Sequence, residues 1–156
     1  MKKRGSWKIL IICLLIVFAI ASISSVFTSS SVNSQWYSSI KPSITPPNYV
    51  FPIVWNILYF LIALSLYFSW ISASKQKHKI IVIVFGINLL LNALWSFLFF
   101  FLQQFAIAFF DLILIWLTIW AMILATYKIN KKSSFLLIPY LLWVSFAGIL
   151  NYLIAF

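Results

Sequence analysis

The side chains that most often carry acid–base, nucleophilic or metal chemistry are almost absent from this chain. It contains one acidic residue, Asp111, one histidine, His78, and one cysteine, Cys13. A paired-carboxylate mechanism needs two acids, and a structural zinc site needs about four Cys or His ligands. A Ser-His-Asp triad would have to recruit His78 and Asp111, which lie in different segments of the chain. We therefore expect no conventional catalytic constellation, no metal site and no required cofactor.

Aromatic and amide side chains are the other groups that could recognise a ligand, and they recur at helical spacing. Three sets each fall on one helix face. They are Asn88, Asn92, Trp95 and Phe99; Trp143, Ala147 and Asn151; and Pro52, Trp55, Asn56 and Tyr59. A pocket of Trp, Phe and Asn with almost no charge suits a large, flat, mainly apolar ligand rather than an ion.

Some of these polar residues have a second interpretation that is purely structural. Asn88 and Asn92 either contact a ligand or only hydrogen-bond across helices. Asp111 either complements the positive end of its helix or relays a proton. We expect His78, which is surrounded by lysines, to be solvated.

The elements that must position these residues are membrane-spanning helices. Hydrophobic residues make up 65% of the 156-residue chain and charged residues 8%, against roughly 45–50% and 25% in soluble domains. Five segments are long and apolar enough to cross a bilayer. They are residues 7–27, 49–72, 80–102, 105–127 and 135–156. The prediction is an all-α bundle of five transmembrane helices that forms a single domain over residues 1–156.

The net charge of +10 is explained by topology rather than by nucleic acid. With five crossings, ten of the eleven basic residues fall on one side of the membrane and only Lys41 on the other. The positive-inside rule then predicts a cytoplasmic N-terminus and an external C-terminus. The lysines face anionic lipid in this interpretation, so we expect no nucleic-acid partner.

The first span has a competing interpretation as a cleavable signal peptide. Basic residues precede the apolar run Ile9–Ala21, which ends on small side chains. Cleavage would leave four spans without violating the charge rule. The apolar character continues through Phe27, which favours a retained helix.

The longest connection, residues 28–48, is expected to cap the predicted pocket. It contains Trp36 and Tyr37 followed by Pro42, Pro46 and Pro47. The three prolines stiffen the backbone and stop helix growth. The other connections are only a few residues long, so neighbouring helices run antiparallel.

Several separated motifs together resemble the translocator protein family, which is also called the tryptophan-rich sensory protein or peripheral benzodiazepine receptor (TspO/MBR) family. The resemblance extends from Trp36 to Tyr152, in order and at the family's spacing. The motifs are Trp36-Tyr37, Lys41-Pro42-Ser43, Pro46-Pro47, Phe51-Pro52-Ile53-Val54-Trp55, Asn92-Ala93-Leu94-Trp95, Asp111, Pro139-Tyr140-Leu141-Leu142-Trp143 and Leu150-Asn151-Tyr152.

The resemblance implies a pocket in the outer half of the membrane that binds protoporphyrin IX or other tetrapyrroles such as haem, and isoquinoline-carboxamide drugs. It also implies a homodimer, and light- and oxygen-dependent degradation of protoporphyrin in some bacterial members. Trp55 and Trp143 are the expected photochemical partners. The ligand-binding residues implied by the matching motifs are Trp36, Tyr37, Trp55, Asn92, Trp95, Trp143, Ala147, Leu150 and Asn151.

One departure from the family pattern bears on the ligand and on the location. Animal members carry a basic residue a few positions after a tyrosine in the last helix, as part of a cholesterol-recognition pattern. Here Tyr152 is followed only by Leu153-Ile154-Ala155-Phe156. The pattern is therefore incomplete, so steroid transport is not expected and sterol binding is left open, and the chain resembles a bacterial member of the cytoplasmic membrane.

Three functions remain open at the level of sequence. The first is binding of a tetrapyrrole, with or without its photochemical conversion. The second is transport of porphyrins or other apolar metabolites, although no inverted repeat supports it. The third is a membrane sensor in which ligand binding changes the capping loop or the dimer contact.

Overall fold

The computed structural model describes residues 6–156, and this part of the chain is all-helical without strands. The predicted charge cluster at Lys2, Lys3 and Arg4 lies outside the described residues. The helices are α1 (Ser6–Thr28), α2 (Gln35–Ile40), α3 (Val50–Ser72), α4 (Lys75–Ser96), α5 (Phe105–Tyr127), α6 (Lys131–Phe135) and α7 (Ile138–Ala155). A π-helical turn, Phe97–Phe101, continues α4.

Within residues 6–156, five stretches are long and apolar enough to cross a membrane, which confirms the predicted five-helix bundle. They are α1, α3, α4 with its π-helical turn, α5, and α6 together with α7. The third span differs most from its prediction, because its helix begins at Lys75 rather than near Ile80. Only Ala73 and Ser74 separate it from α3. Lysine is a good helix former, so the helix extends beyond the apolar run into the polar interface.

The sequence suggested that His78 is solvated, but the structure shows it in contact with Trp70. Because α4 begins early, His78 lies in its first turns and stacks on Trp70 of α3, with ring centroids 4.1 Å apart and planes at 11°. Its Nε2 lies 3.0 Å from the Trp70 carbonyl oxygen, close to the C-terminal end of α3. The imidazole therefore caps one helix from the start of the next.

The core lies between the long helices and is continuous along most of the bundle. α5 packs between α4 and α7, while α1 packs against α3 and α4. A Cβ at Gly148 of α7 would stand 3.3 Å from Leu112 Cδ2 of α5, so glycine permits a close approach of these two helices. Cys13 and Val17 of α1 are buried in the same core. This packing supports α1 as a retained span rather than a signal peptide.

Buried serines join the helices at the lysine-rich end of the bundle. Ser65 Oγ donates to the Ser133 carbonyl at 2.8 Å, and Ser133 Oγ donates to the Ser65 carbonyl at 2.6 Å. Ser69 Oγ also contacts Ser133 Oγ and donates to the Ser65 carbonyl. All three residues are fully buried. The result is a buried polar junction between α3 and α6.

The opposite end of the bundle is covered by the connection between α1 and α3. Its short helix α2 is N-capped by Ser34, whose hydroxyl accepts from the Tyr37 backbone N–H at 3.1 Å. Asn48 then ties the loop together, since its Nδ2 donates to the Val32 carbonyl at 2.9 Å and its Oδ1 accepts from Lys41 Nζ at 3.3 Å. The predicted capping loop is therefore folded rather than an open linker.

Candidate ligand-binding cavity

A cavity of about 510 Å³ lies beneath α2, at the end of the bundle opposite the lysine-rich connections. α1, α2, α3, α4 and its π-helical turn, and α7 all contribute to its wall. Its volume falls in the range of small-molecule sites in proteins. None of the side chains that line it is charged.

Eight of the nine predicted site residues line this cavity. Trp55 comes from α3, and Asn92 and Trp95 come from α4. The other five are Tyr37 of α2 and Trp143, Ala147, Leu150 and Asn151 of α7. Residues that are more than a hundred positions apart in sequence therefore form one wall, because the helices that carry them are packed in a bundle.

Trp36 is the predicted residue that the structure does not bring to the cavity wall. Its ring instead stacks on Phe105 at the start of α5, with centroids 6.0 Å apart and planes at 22°. It thereby fixes α2 to the end of the bundle. Its neighbour Tyr37 is 5% exposed and packs on Phe100 of the π-helical turn at 5.8 Å. Burial raises the pKa of the Tyr37 phenol above its ordinary value, so the phenol that lines the cavity is neutral.

Asn92 is held from both sides by two buried tyrosines. Tyr59 OH donates to Asn92 Oδ1 at 2.9 Å, and Asn92 Nδ2 donates to Tyr140 OH at 2.7 Å. Tyr140 OH donates in turn to Asn88 Oδ1 at 3.1 Å. Asn88 Nδ2 then donates to Thr118 Oγ1 at 2.9 Å. This chain of hydrogen bonds joins α3, α4, α7 and α5.

Asn88 and Asn92 have different roles in this chain of hydrogen bonds, which the sequence could not distinguish. Asn88 is fully buried and only bonds across helices, whereas Asn92 does so and also lines the cavity. Sequence reasoning missed Tyr140 as a partner of this site. A signal for it existed, because Tyr140 lies three positions before Trp143 and therefore on the same side of α7.

Asn151 plays a similar part nearer the α2 end of the wall. Its Oδ1 accepts from Trp95 Nε1 at 3.0 Å, and its Nδ2 donates to the Phe105 carbonyl at 2.9 Å. The Trp95 ring is then stacked on Phe99, with centroids 5.0 Å apart. The orientation of this indole is therefore set by a hydrogen bond at its edge and by a ring at its face.

The other two cavity tryptophans are held mainly by ring contacts. Trp55 lies 5.5 Å from the Tyr59 ring and 6.2 Å from the Tyr140 ring. Trp143 makes an edge contact with Phe51 at 5.8 Å. The Trp143 indole N–H is buried and has no hydrogen-bond partner among residues 6–156. The Trp143 side chain lines the cavity, but this N–H itself is enclosed by the protein.

Asp111 lies outside the cavity wall. It is the seventh residue of α5, beyond the first turn, where a helix dipole has its effect, so the predicted charge complement at the helix end is not supported. The side chain is 5% exposed, and neither carboxyl oxygen has a partner in the described part of the chain.

Comparison with known proteins agrees with the resemblance that the motifs indicated. The model of the TspO/MBR family matches residues 12–156. A "Tryptophan-rich protein TspO" of Chlorobaculum tepidum is 35% identical over 93% of this chain and 92% of its own length. A protein of the same name from Archaeoglobus fulgidus is 39% identical over 93% and 94%. The "Translocator protein" of Bos taurus is 31% identical over 76% and 72%.

The relatives and the fold support one conclusion about identity and location. The match includes most of α1, all of the capping loop and every helix that lines the cavity. Five apolar helices together with bacterial relatives indicate a multi-pass protein of the bacterial cell membrane. The chain belongs to the TspO/MBR family.

Proposed function

We propose that the cavity binds protoporphyrin IX or another tetrapyrrole, and that it also accepts drug-like isoquinoline carboxamides. The observation that carries this proposal is an uncharged cavity of about 510 Å³ with three tryptophans in its wall. Indole rings offer large, flat, rigid faces on which an aromatic macrocycle can stack. The wall also includes phenylalanine rings, so most of the ligand surface meets apolar atoms.

The capping helix supports enclosure of the ligand. Tyr37 reaches the cavity from α2, and its ring packs on the π-helical turn. A ligand beneath α2 is then covered by the loop at that end and flanked by α1, α3, α4 and α7. Exclusion of water strengthens the polar contacts that remain.

Light- and oxygen-dependent conversion of a bound porphyrin is part of the same proposal. An excited porphyrin can exchange an electron with a nearby indole or pass its energy to molecular oxygen, which is the oxidant in either case. Trp55 and Trp143 lie on the cavity wall and are the proposed photochemical partners. The protein contributes position and exclusion of water, while the chemistry belongs to the ligand and oxygen.

The test is a titration of purified protein in detergent with protoporphyrin IX in the dark, followed by illumination. Saturable quenching of tryptophan fluorescence is expected at micromolar ligand. Replacing both Trp55→Phe and Trp143→Phe should weaken binding and slow the loss of porphyrin absorption under light. Trp120→Phe is the matched control, since this tryptophan is exposed on α5 and does not line the cavity. Saturable binding that is unaltered in the double variant would remove both residues from the proposed site.

Transport and sensing are the alternative functions. The connection that carries α2 covers the cavity, so a ligand that changes its position could signal to a partner. Transport would require saturable, protein-dependent flux of porphyrin into proteoliposomes. Binding followed by rapid loss of the porphyrin bands under light, without flux, would favour conversion over both alternatives.

The proposed partners beyond the ligand are membrane lipid and a second copy of the chain. Large apolar side chains are exposed along all five long helices, as expected for surfaces that face lipid. The homodimer rests on the family resemblance. Cross-linking of the protein in native membranes, before detergent is added, measures its oligomeric state.

A further inference from the structure

The motif Lys41-Pro42-Ser43 carries the one basic side chain that the structure describes at the cavity end of the bundle. The other described lysines lie at the opposite end, near the starts of α1 and α4 and between α5 and α7. The single acidic residue of the chain, Asp111, is buried in α5. Lys41 forms no ion pair within residues 6–156. Its ammonium is therefore a positive charge without a negative partner in the described chain.

Asn48 joins Lys41 to the cavity wall. Lys41 Nζ donates to Asn48 Oδ1 at 3.3 Å. On its other side, Asn48 Nδ2 donates to the Val32 carbonyl at 2.9 Å and lies 3.2 Å from Asn33 Oδ1, which accepts from it. Val32 and Asn33 both line the cavity. An ammonium has three hydrogens, so the bond to Asn48 leaves two for another acceptor. Only one side-chain amide therefore separates this charge from the cavity wall.

Neutral donors stand on the same edge of the cavity. Because Asn33 Oδ1 accepts from Asn48, the Asn33 Nδ2 hydrogens are free, and they have no acceptor in the described part of the chain. Ser29 Oγ also lines the cavity and has no acceptor among residues 6–156. Ser29 and Asn33 are exposed, and Lys41 is half-buried. We call Ser29, Asn33 and Lys41 the donor edge.

The donor edge has the groups that a carboxylate needs. A carboxylate only accepts hydrogen bonds, and its bonds to donors are strengthened when a positive charge is near. The deeper part of the cavity offers indole faces instead, from Trp55, Trp95 and Trp143, and none of its lining side chains is charged. A carboxylate placed there would be buried without a counter-charge, which is costly. At the exposed donor edge it keeps contact with water and meets Lys41.

We propose that the donor edge binds a carboxylate arm of the ligand, and that Lys41 thereby raises the affinity of the cavity for tetrapyrroles with free acid arms but not for their esters. This inference rests on the proposed ligand-binding function and adds an orientation and a specificity-determining residue to it. Protoporphyrin IX carries its two propionate arms side by side on one edge of the ring. That edge lies towards the capping loop, and the opposite edge points down among the tryptophans.

The test compares protoporphyrin IX with its dimethyl ester, which has the same ring but no acid. Dissociation constants are measured by tryptophan fluorescence quenching in the dark, on the whole chain in a non-ionic detergent at neutral pH. Lys41→Gln removes the charge and keeps a hydrogen-bond donor. It should weaken binding of the diacid about threefold to fivefold, as expected for a partly exposed ion pair, and leave the diester constant unchanged.

Two further variants and one condition separate charge from structure. Lys41→Arg keeps the charge and should bind the diacid within a factor of two of the unmodified protein. Lys128→Gln is the matched control, because it removes the same charge from an exposed lysine at the opposite end of the bundle, and it should alter neither constant. Added salt should weaken diacid binding to the unmodified protein more than to Lys41→Gln, because it screens the ion pair.

Three results would contradict the inference. Equal weakening of diacid and diester in Lys41→Gln would show that Lys41 only holds the loop through Asn48. An unchanged diacid constant in that variant would remove Lys41 from ligand recognition, and both results leave the ligand-binding function intact. If Lys41→Gln fails to fold, the unmodified protein decides, since equal salt dependence of diacid and diester would overturn the role of charge. Failure of both porphyrins to bind saturably would instead overturn the proposed function itself.

Discussion

The two ends of the bundle use the same side chain in opposite ways. At the lysine-rich end, Ser65, Ser69 and Ser133 bond across α3 and α6 and leave no space between them. At the other end, Ser22 and Ser25 bond within α1 and border a cavity of about 510 Å³. A hydrogen bond between helices draws them together. A hydrogen bond within one helix satisfies the hydroxyl and leaves the neighbouring helix free to stand apart.

Asn92 both bonds across helices and borders the cavity. Its replacement should therefore have the largest effect on stability and on ligand affinity. Asn92→Leu leaves the hydroxyls of Tyr59 and Tyr140 each without one buried partner, which is expected to lower the free energy of unfolding by about 2–3 kcal/mol. Because the residue also lines the cavity, affinity for protoporphyrin IX should fall as well. Thermal unfolding in detergent and fluorescence titration measure the two effects.

Asn56→Leu is the matched control for this variant. The same change of residue type occurs on the same cavity wall, but Asn56 bonds only within its own helix. Its stability should change by less than about 0.5 kcal/mol. Equal losses in the two variants would contradict the distinction between bonds across helices and bonds within one.

Ser133→Val should separate stability from binding at the lysine-rich end. The change removes the hydroxyl that reaches both Ser65 and Ser69, so the unfolding free energy is expected to fall by about 1–2 kcal/mol. Affinity for protoporphyrin IX should stay within a factor of two, because the serine junction is remote from the cavity. A loss of affinity without a loss of stability would indicate that the two ends are coupled.

The smallest expected effect concerns the pH dependence of the cap. The pKa of Tyr37 is raised above 10.0 by burial, so in folded protein the phenol keeps its proton where an exposed tyrosine loses it. The unfolded state then binds fewer protons, so the stability of the folded cap falls as pH rises above about 10. Tyr37→Phe removes this titration. Ligand affinity measured between pH 8 and pH 11 should fall more steeply in the unmodified protein than in the variant.

The fold was largely predictable because its signal is local. Each span is an apolar run of the length that a bilayer requires, and every connection except residues 28–48 is short. The errors fell at polar ends, where hydropathy carries no information. Lys75 and His78 belong to α4 because a helix continues for as long as its backbone bonds are satisfied, and His78 gains a contact with Trp70 that no periodicity indicates.

The cavity was predictable as a set of helix faces but not as a network. Spacing placed Asn92 with Trp95, and Trp143 with Asn151, and the family motifs added Tyr37 and Leu150. The bonds from Tyr59 and Tyr140 to Asn92 join residues 33 and 48 positions apart, so they depend on how the helices are rotated and packed. Trp36 stands off the cavity wall for the same reason, since the direction of a loop helix determines which of two neighbouring rings faces inward.

The sequence by itself determined that the protein spans a membrane, how many spans it has, its family and the aromatic character of the candidate site. These follow from composition and helical period, which depend on each residue separately. The tertiary structure decided which polar groups meet. It buried Asn88 away from the cavity and left Asn92 on the cavity wall. It also brought Asn151 within hydrogen-bond distance of Trp95. Hydrogen bonds are short and directional, so their partners are chosen only when helices have packed.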